Sequence, residues 1–206
     1  MKAEIRLYIE GGGDSAEAKA QLRRGFRAFL SPAYQKAREA RVAMQVILCG
    51  SRTSTREDFL KAFQSHPTAF NVILVDSEER VSSAVRKHLA DRDGWTFAGV
   101  DESQLQLMVQ AMETWFVADP DALLRFYGND FRLNAIPKAV DVEEIDKDQL
   151  LAVLREATRQ TQKGKYQKIR HASLLLALID PEKVQQAAEH CRRLFAVVEQ
   201  RISRVA

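Results

Sequence analysis

One uninterrupted apolar run constrains the fold of this chain more than any other segment. Val72, Ile73, Leu74 and Val75 follow one another without a polar residue, and the run ends at Asp76. A strand that is apolar on every side suits the centre of a parallel sheet covered on both faces. The run therefore predicts a buried strand over residues 70–75, with helices on either side of its sheet.

The rest of the chain supplies the other elements of an α/β fold. Further strands are predicted over 3–10, 42–49 and 105–110, with helical patterns between them. The predicted helices cover 15–30, 32–41, 53–65, 82–90, 112–118, 120–127, 146–161, 171–178 and 181–202. We predict an α/β fold with a Rossmann-like parallel sheet flanked by helices, in a domain spanning 1–128. Residues 129–206 are predicted to form a C-terminal helical extension packed on that domain.

Two of the predicted strands end in carboxylates. The first runs into Glu10, three glycines and Asp14, and the third runs into Asp76, Ser77 and Glu78. In open α/β sheets, ligands bind outside the carboxyl ends of the strands. Hard cations such as Mg²⁺ prefer carboxylate oxygens, and they need few protein ligands because they keep several waters. The pattern therefore favours a divalent metal site at this edge of the sheet.

The glycine loop after Glu10 has two other interpretations. Gly11-x-Gly13-x-x-Ala16 fits a dinucleotide-binding fingerprint between a strand and a helix. Glu10 and Asp14 oppose that interpretation because their charges would repel a pyrophosphate at the helix N-terminus. The second alternative is a structural turn in which Asp14 or Ser15 caps the following helix.

Other acids admit a ligand role and a structural one. On extended backbone Asp76 and Glu78 would point to the same side, whereas an ordinary acidic helix N-terminus would also explain Glu78. Glu113 stands between Met112 and Trp115 and is expected to be partly buried. A buried acid is costly without a partner, so Glu113 either pairs with a base or coordinates an ion.

Charge is unevenly distributed, although the net charge is only +3. Residues 19–41 contain seven Lys/Arg and one acid, and residues 155–170 contain six and one, whereas residues 101–148 contain eleven acids and four bases. Such segregation can steer a polyanion toward an acidic centre, or it can reflect solvated helix faces. Lys165 and Lys168, beside Tyr166, are candidates for contacting phosphates or stabilising developing negative charge.

Glu10 with its glycines, together with Asp76-x-Glu78, resembles the TOPRIM domain. That domain has a glutamate after its first strand and a D-x-D motif after its third, where this chain has D-S-E. The glycine loop resembles the variant found in nucleases of the overcoming-lysogenization-defect family, and Glu113 resembles their later glutamate. The whole chain is also similar to an uncharacterised bacterial family of TOPRIM-like proteins of about this length, some of whose genes are associated with phage defence.

The resemblance implies Mg²⁺ or Mn²⁺ bound by Glu10, Asp76 and Glu78, with Asp14 and Glu113 in support, and phosphodiester chemistry. The expected function is a metal-dependent nuclease acting on DNA or RNA, with Lys165 or Lys168 assisting catalysis. The alternative is a non-catalytic TOPRIM-like interaction or sensor module that works with a partner ATPase.

Cysteine usage and hydropathy bear on location. Cys49 and Cys191 lack C-x-x-C spacing, which is typical of buried thiols in a reducing compartment. No apolar stretch approaches the roughly 20 residues that span a bilayer. The sequence therefore predicts a cytoplasmic protein without a membrane partner.

Overall fold

The computed structural model describes residues 3–138 and 140–205 and contains a four-stranded, all-parallel sheet in the order β2-β1-β3-β4. The strands are β1 (Glu4–Glu10), β2 (Ala43–Gly50), β3 (Phe70–Asp76) and β4 (Leu105–Met108). The helices are α1 (Ala16–Phe29), α2 (Ser31–Glu39), α3 (Arg52–Ser65), α4 (Val85–Asp93), α5 (Glu113–Val117), α6 (Pro120–Tyr127), α7 (Lys147–Thr158), α8 (Lys168–Leu176), α9 (Pro181–Ala187) and α10 (Glu189–Val205). The predicted α/β class, with a parallel sheet flanked by helices, is confirmed.

Both faces of the sheet are covered, as the apolar run of β3 predicts. Alternate residues of β3 enter different cores: Val72 and Leu74 join the larger cluster, and Ile73 and Val75 join the smaller one. The larger core lies under α1, α2, α10 and the other C-terminal helices, and the smaller lies under α3 and α4. Because helices cover both faces, the ends of the strands are the part of the sheet that these two helical layers leave uncovered.

The helices after residue 128 share the larger core with the α/β half. The Phe29 ring of α1 lies 5.7 Å from the Phe195 ring of α10, centroid to centroid. Helices α1 and α8 approach most closely at Gly25, where an added Cβ would lie 2.6 Å from the Ser173 carbonyl oxygen. The absence of a side chain at Gly25 therefore allows α8 to lie against α1, beside the glycine loop.

Several helix boundaries differ from the sequence-based expectation. Helix α4 spans Val85–Asp93, so it begins and ends three residues later than the predicted 82–90. Helix α3 begins at Arg52 because Ser51, rather than Thr53 or Ser54, accepts the capping hydrogen bond from the Ser54 N–H. Helix α8 begins at Lys168, one turn before the predicted start.

The predicted single helix over 181–202 is two helices, because Ala188 is extended between them. The Glu143 carboxylate accepts a 2.8 Å hydrogen bond from the His190 N–H and lies 2.8 Å from its ring Nδ1. This contact caps the new start at α10.

Across the described residues, no helix combines the length and the apolar character that crossing a membrane requires.

Candidate functional site

Glu10 and Asp76 meet at the carboxyl edge of the sheet. Strands β1 and β3 are parallel neighbours, and these acids are their last residues. The Asp76 backbone N–H donates a 3.3 Å hydrogen bond to Glu10 Oε2. The structure therefore brings together two acids that are 66 residues apart in the chain.

The Asp76 side chain is almost completely buried and is held from two sides. Its Oδ1 accepts a 2.8 Å hydrogen bond from the Met112 N–H, and its Oδ2 accepts a 3.2 Å bond from Lys168 Nζ. Met112 immediately precedes α5, and Lys168 is the first residue of α8. The Asp76 carboxylate therefore joins the sheet to both helices.

Glu113 is the third acid of this cluster and is 1% exposed. Its Oε1 accepts a 2.9 Å hydrogen bond from the Tyr166 hydroxyl. Its Oε2 lies 3.3 Å from Lys168 Nζ but has no partner in hydrogen-bond geometry. A buried carboxylate oxygen without a hydrogen bond is costly, so this atom marks a place where a further cation would be stabilising.

Lys168 places one ammonium between two buried carboxylates. Although burial of the ammonium opposes it, the charges of Asp76 and Glu113 raise the pKa of Lys168. The side chain as a whole remains 46% exposed, because its aliphatic part faces solvent while its head group points inward. Lys168 therefore carries a fixed positive charge at the centre of the cluster.

Glu10 has the most perturbed carboxylate of the site. Burial, and then the charge of Asp76, raise the pKa of Glu10 to about 7, while Arg52 opposes the shift from 3.3 Å. Burial of the Glu10 carboxylate therefore outweighs the favourable charge of Arg52 and keeps this acid partly protonated near neutral pH. Perturbed acids of this kind are concentrated at functional sites.

Arg52 organises the other side of Glu10, and sequence reasoning missed it. Its guanidinium binds Asp93 through Nη2 at 2.6 Å and Nε at 3.1 Å, and it also donates to the Asp76 carbonyl oxygen. The guanidinium carbon lies 4.9 Å from the centroid of the Trp95 ring. The available signal was its position two residues after β2, at the same edge of the sheet.

Glu78 does not lie on extended backbone. The expectation that Asp76 and Glu78 point to the same side, which assumed an extended backbone through both, is therefore wrong. Strand β3 ends at Asp76, and Glu78 adopts a left-handed conformation with φ +69°. Its carboxylate forms an ion pair with Lys147 of α7. Burial of Glu78 is outweighed by this ion pair, which lowers the pKa of Glu78.

Three other residues of the basic and glycine-rich segments have different surroundings. Asp14 and Lys165 are exposed, and within the described residues neither forms an ion pair. Tyr166 is buried, and burial followed by the charge of Glu113 raises the pKa of its hydroxyl. Tyr166 therefore supports Glu113 from inside the protein.

The glycine loop forms one wall of a cavity beside these acids. The Gly11 N–H donates to the Gly50 carbonyl at 2.8 Å, and a Cβ at Gly11, where φ is +125°, would lie 2.8 Å from the Leu22 side chain. The cavity has a volume of about 340 Å³ and lies between the loop, α1 and the start of α8. It is lined by Gly11, Gly12, Gly13, Ala18, Leu22, Met112, Lys168, Ile169, Ala172 and Ser173.

The acids do not form a ready-made metal shell. Over residues 3–138 and 140–205, no group of three or more His, Cys, Asp or Glu side chains is arranged to hold a metal ion. Instead the acids pair with bases: Glu10 with Arg52, Asp76 and Glu113 with Lys168, and Glu78 with Lys147. The predicted set of five metal ligands is therefore dispersed: Asp76 and Glu113 share Lys168, and Glu10 contacts the Asp76 backbone.

Comparison with known proteins gives a family without an assigned activity. The family model described as "Domain of unknown function (DUF4276)" matches residues 9–199. The chain belongs to this family. The match covers both the α/β half and the C-terminal helices, so the site residues from Glu10 to Lys168 all lie within the DUF4276 region. No curated protein and no solved structure matches the chain.

Proposed function

We propose that this DUF4276 protein is a metal-dependent nuclease that hydrolyses phosphodiester bonds. The observation that carries the proposal is that Asp76 and Glu113, from separate segments, share the Lys168 ammonium, while the Glu10 carboxylate accepts a hydrogen bond from the Asp76 backbone N–H. The unpartnered Oε2 of Glu113 and the raised pKa of Glu10 both show that these buried acids cost the protein stability. Such costs are typical of functional sites. The TOPRIM-like sequence pattern supports the same chemistry.

The donor set fits Mg²⁺ or Mn²⁺. It consists of oxygen atoms only, and such ions bind through one or two carboxylates together with waters and substrate phosphates. Asp76 and Glu113 would hold the ion at the place where Lys168 now bridges them, and Glu10 would complete the set. When bound, the ion supplies an activated water and neutralises charge on the scissile phosphate.

The residues around the acids have positioning roles in this proposal. The Met112 N–H orients Asp76, the Tyr166 hydroxyl orients Glu113, and Arg52 orients Glu10. Lys168 reaches the centre from a partly exposed position, so its ammonium can turn toward a substrate phosphate and stabilise the charge that develops there.

A plasmid-nicking assay with Mn²⁺ tests this function. We expect the wild type to nick DNA or cleave RNA, and Asp76→Asn to abolish the activity. Asp91→Asn is the matched control, because Asp91 is an exposed acid on α4 that pairs with Lys87 away from the cluster. Cleavage that survives Asp76→Asn, or no cleavage of either polymer by the wild type, would reject the proposal.

A non-catalytic module is the second candidate, because Glu10, Asp76, Glu78 and Glu113 each already have a basic partner. Such a module would keep these ion pairs permanently and act through a partner protein such as an ATPase. It predicts no heat of binding when Mg²⁺ or Mn²⁺ is titrated into the protein at millimolar concentration. Metal binding that depends on Asp76 would exclude it.

We also propose a cytoplasmic location. Cys49 and Cys191 are both buried free thiols, which suits a reducing compartment.

A further inference from the structure

A groove leads away from the acidic cluster along helix α1. The cavity beside Lys168 adjoins a depression of about 340 Å³ that includes Arg24, Arg170 and Ser173. A separate depression of about 400 Å³ includes Arg27, Tyr34 and Arg38, and Arg27 lies one helical turn beyond Arg24 on α1. Ser173 lines both the cavity and the first depression. We call these three neighbouring surfaces the α1 groove.

The α1 groove carries four exposed arginines with no acid to balance them. Within the described part of the chain, Arg24, Arg27, Arg38 and Arg170 form no ion pair. Arg27 instead stacks on the Tyr34 ring, with its guanidinium carbon 5.1 Å from the centroid. Arginine forks that no carboxylate engages are well suited to bind phosphate groups.

The inner end of the groove is an apolar cavity. Leu22, Met112 and Ala172 contribute apolar walls to the cavity of about 340 Å³, which is near the lower limit for ligand pockets. The close contact of Gly25 with Ser173 brings α1 and α8 together at the floor of the neighbouring depression. This space accommodates one base of a strand, and a base that is paired and stacked within a duplex would first have to leave the stack to enter it.

We propose that the α1 groove binds single-stranded nucleic acid and leads it to the acidic cluster. Phosphates contact Arg24, Arg27, Arg38 and Arg170, and one base occupies the cavity beside Lys168. The inference rests on the proposed nuclease function, for which it names the substrate as a single strand. A positively charged groove combined with a site for a base is the general way in which proteins bind single strands.

Fluorescence anisotropy with a labelled single-stranded oligonucleotide, in EDTA, tests the groove. We expect Arg24→Ala/Arg170→Ala to weaken binding at least about tenfold at low salt. The log–log salt slope should fall by about 1.4, because each phosphate contact on a single strand contributes about 0.7. The matched control is Arg155→Ala/Arg192→Ala, which removes the same charge from exposed positions outside the groove and should bind like the wild type.

A variant that fills the cavity separates the base site from the charges. Ala18→Phe should weaken binding of the single strand while leaving the salt slope unchanged, because it adds bulk to the cavity wall and removes no charge. A melting temperature close to that of the wild type would show that the variant is folded. A blunt duplex of the same sequence should bind more weakly than the single strand to the wild-type protein.

Several results would overturn the groove proposal. The first two are a wild-type protein that does not bind the single strand, and groove and control variants that bind it equally well. The other two are a duplex that binds as tightly as the single strand, and polyglutamate that displaces the labelled oligonucleotide as efficiently as the unlabelled strand does. The last result would indicate an acidic protein as the partner. These binding measurements need no metal, so they are independent of the cleavage assay. If the strand binds through the groove but is not cleaved, the nuclease proposal alone is rejected. If the protein cleaves but binding does not depend on the groove arginines, the groove proposal alone is rejected.

Discussion

Replacing Glu10 by glutamine should stabilise the metal-free protein above neutral pH. Burial and the neighbouring Asp76 charge raise the pKa of Glu10 from 4.5 to about 7 in the folded protein. Each tenfold change in proton affinity corresponds to about 1.4 kcal/mol. Ionising Glu10 in the folded state therefore costs about 3 kcal/mol relative to the unfolded chain, and a neutral glutamine avoids that cost.

The sign of the pH dependence follows from the direction of the shift. Because the folded-state pKa lies above the unfolded value, the contribution of Glu10 to stability is complete below about pH 4.5 and is lost as the pH rises through about 7. The difference in unfolding free energy between Glu10→Gln and the wild type should therefore grow by about 3 kcal/mol between about pH 4.5 and about pH 8. Every other residue is the same in the two proteins, so the difference isolates Glu10.

Urea unfolding of both proteins in EDTA, from about pH 4.5 to about pH 8, measures this difference. Saturating Mn²⁺ provides a second arm, because metal binding requires a deprotonated ligand and should stabilise the wild type more than Glu10→Gln. Parallel stability–pH profiles for the two proteins in EDTA would contradict a raised pKa of Glu10 in the folded protein.

Three further substitutions test the contacts around the cluster, each by urea unfolding. Tyr166→Phe should cost about 1–3 kcal/mol, because it leaves the buried Glu113 Oε1 without its hydrogen bond; an unchanged midpoint would contradict this. Gly25→Ala should cost about 1–3 kcal/mol, because its Cβ would meet the Ser173 carbonyl at 2.6 Å; wild-type stability would show that α1 and α8 can separate freely. Lys168→Met should destabilise the protein in EDTA by less than the roughly 3–5 kcal/mol of a fully buried pair, because the Lys168 side chain is 46% exposed. Mn²⁺ should raise the melting temperature of this variant more than it raises that of the wild type. An equal Mn²⁺ effect would contradict a metal in the place of Lys168.

The sheet was predictable because its signals are local. The apolar run of β3 and the alternation in β1 each indicate a strand without reference to the rest of the chain, and the observed ends differ by one residue. The meeting of Glu10 with Asp76 follows from one further rule, that parallel strands end at the same edge. Strand β4 is shorter than predicted because only Leu105–Met108 pair with β3.

The partners of the acids were not predictable, because they depend on how distant segments approach one another. Arg52 reaches Asp93 across 41 residues, and Lys147 reaches Glu78 across 69. No periodicity or motif links such positions. Glu113 was predictable only in part. Its apolar neighbours in the sequence predicted that it is buried, whereas its pairing with Lys168 depends on the packing of α8 against α1 and α5.

The most direct test of the central claim is a Mn²⁺ titration of the wild type and Asp76→Asn, followed by electron paramagnetic resonance of the free ion. If Glu10, Asp76 and Glu113 hold a divalent cation, the wild type removes Mn²⁺ from solution and the substitution weakens that binding by at least about tenfold, whereas Asp91→Asn leaves it unchanged. Equal binding by Asp76→Asn, or no binding by the wild type at millimolar Mn²⁺, would contradict a metal centre at the edge of this sheet.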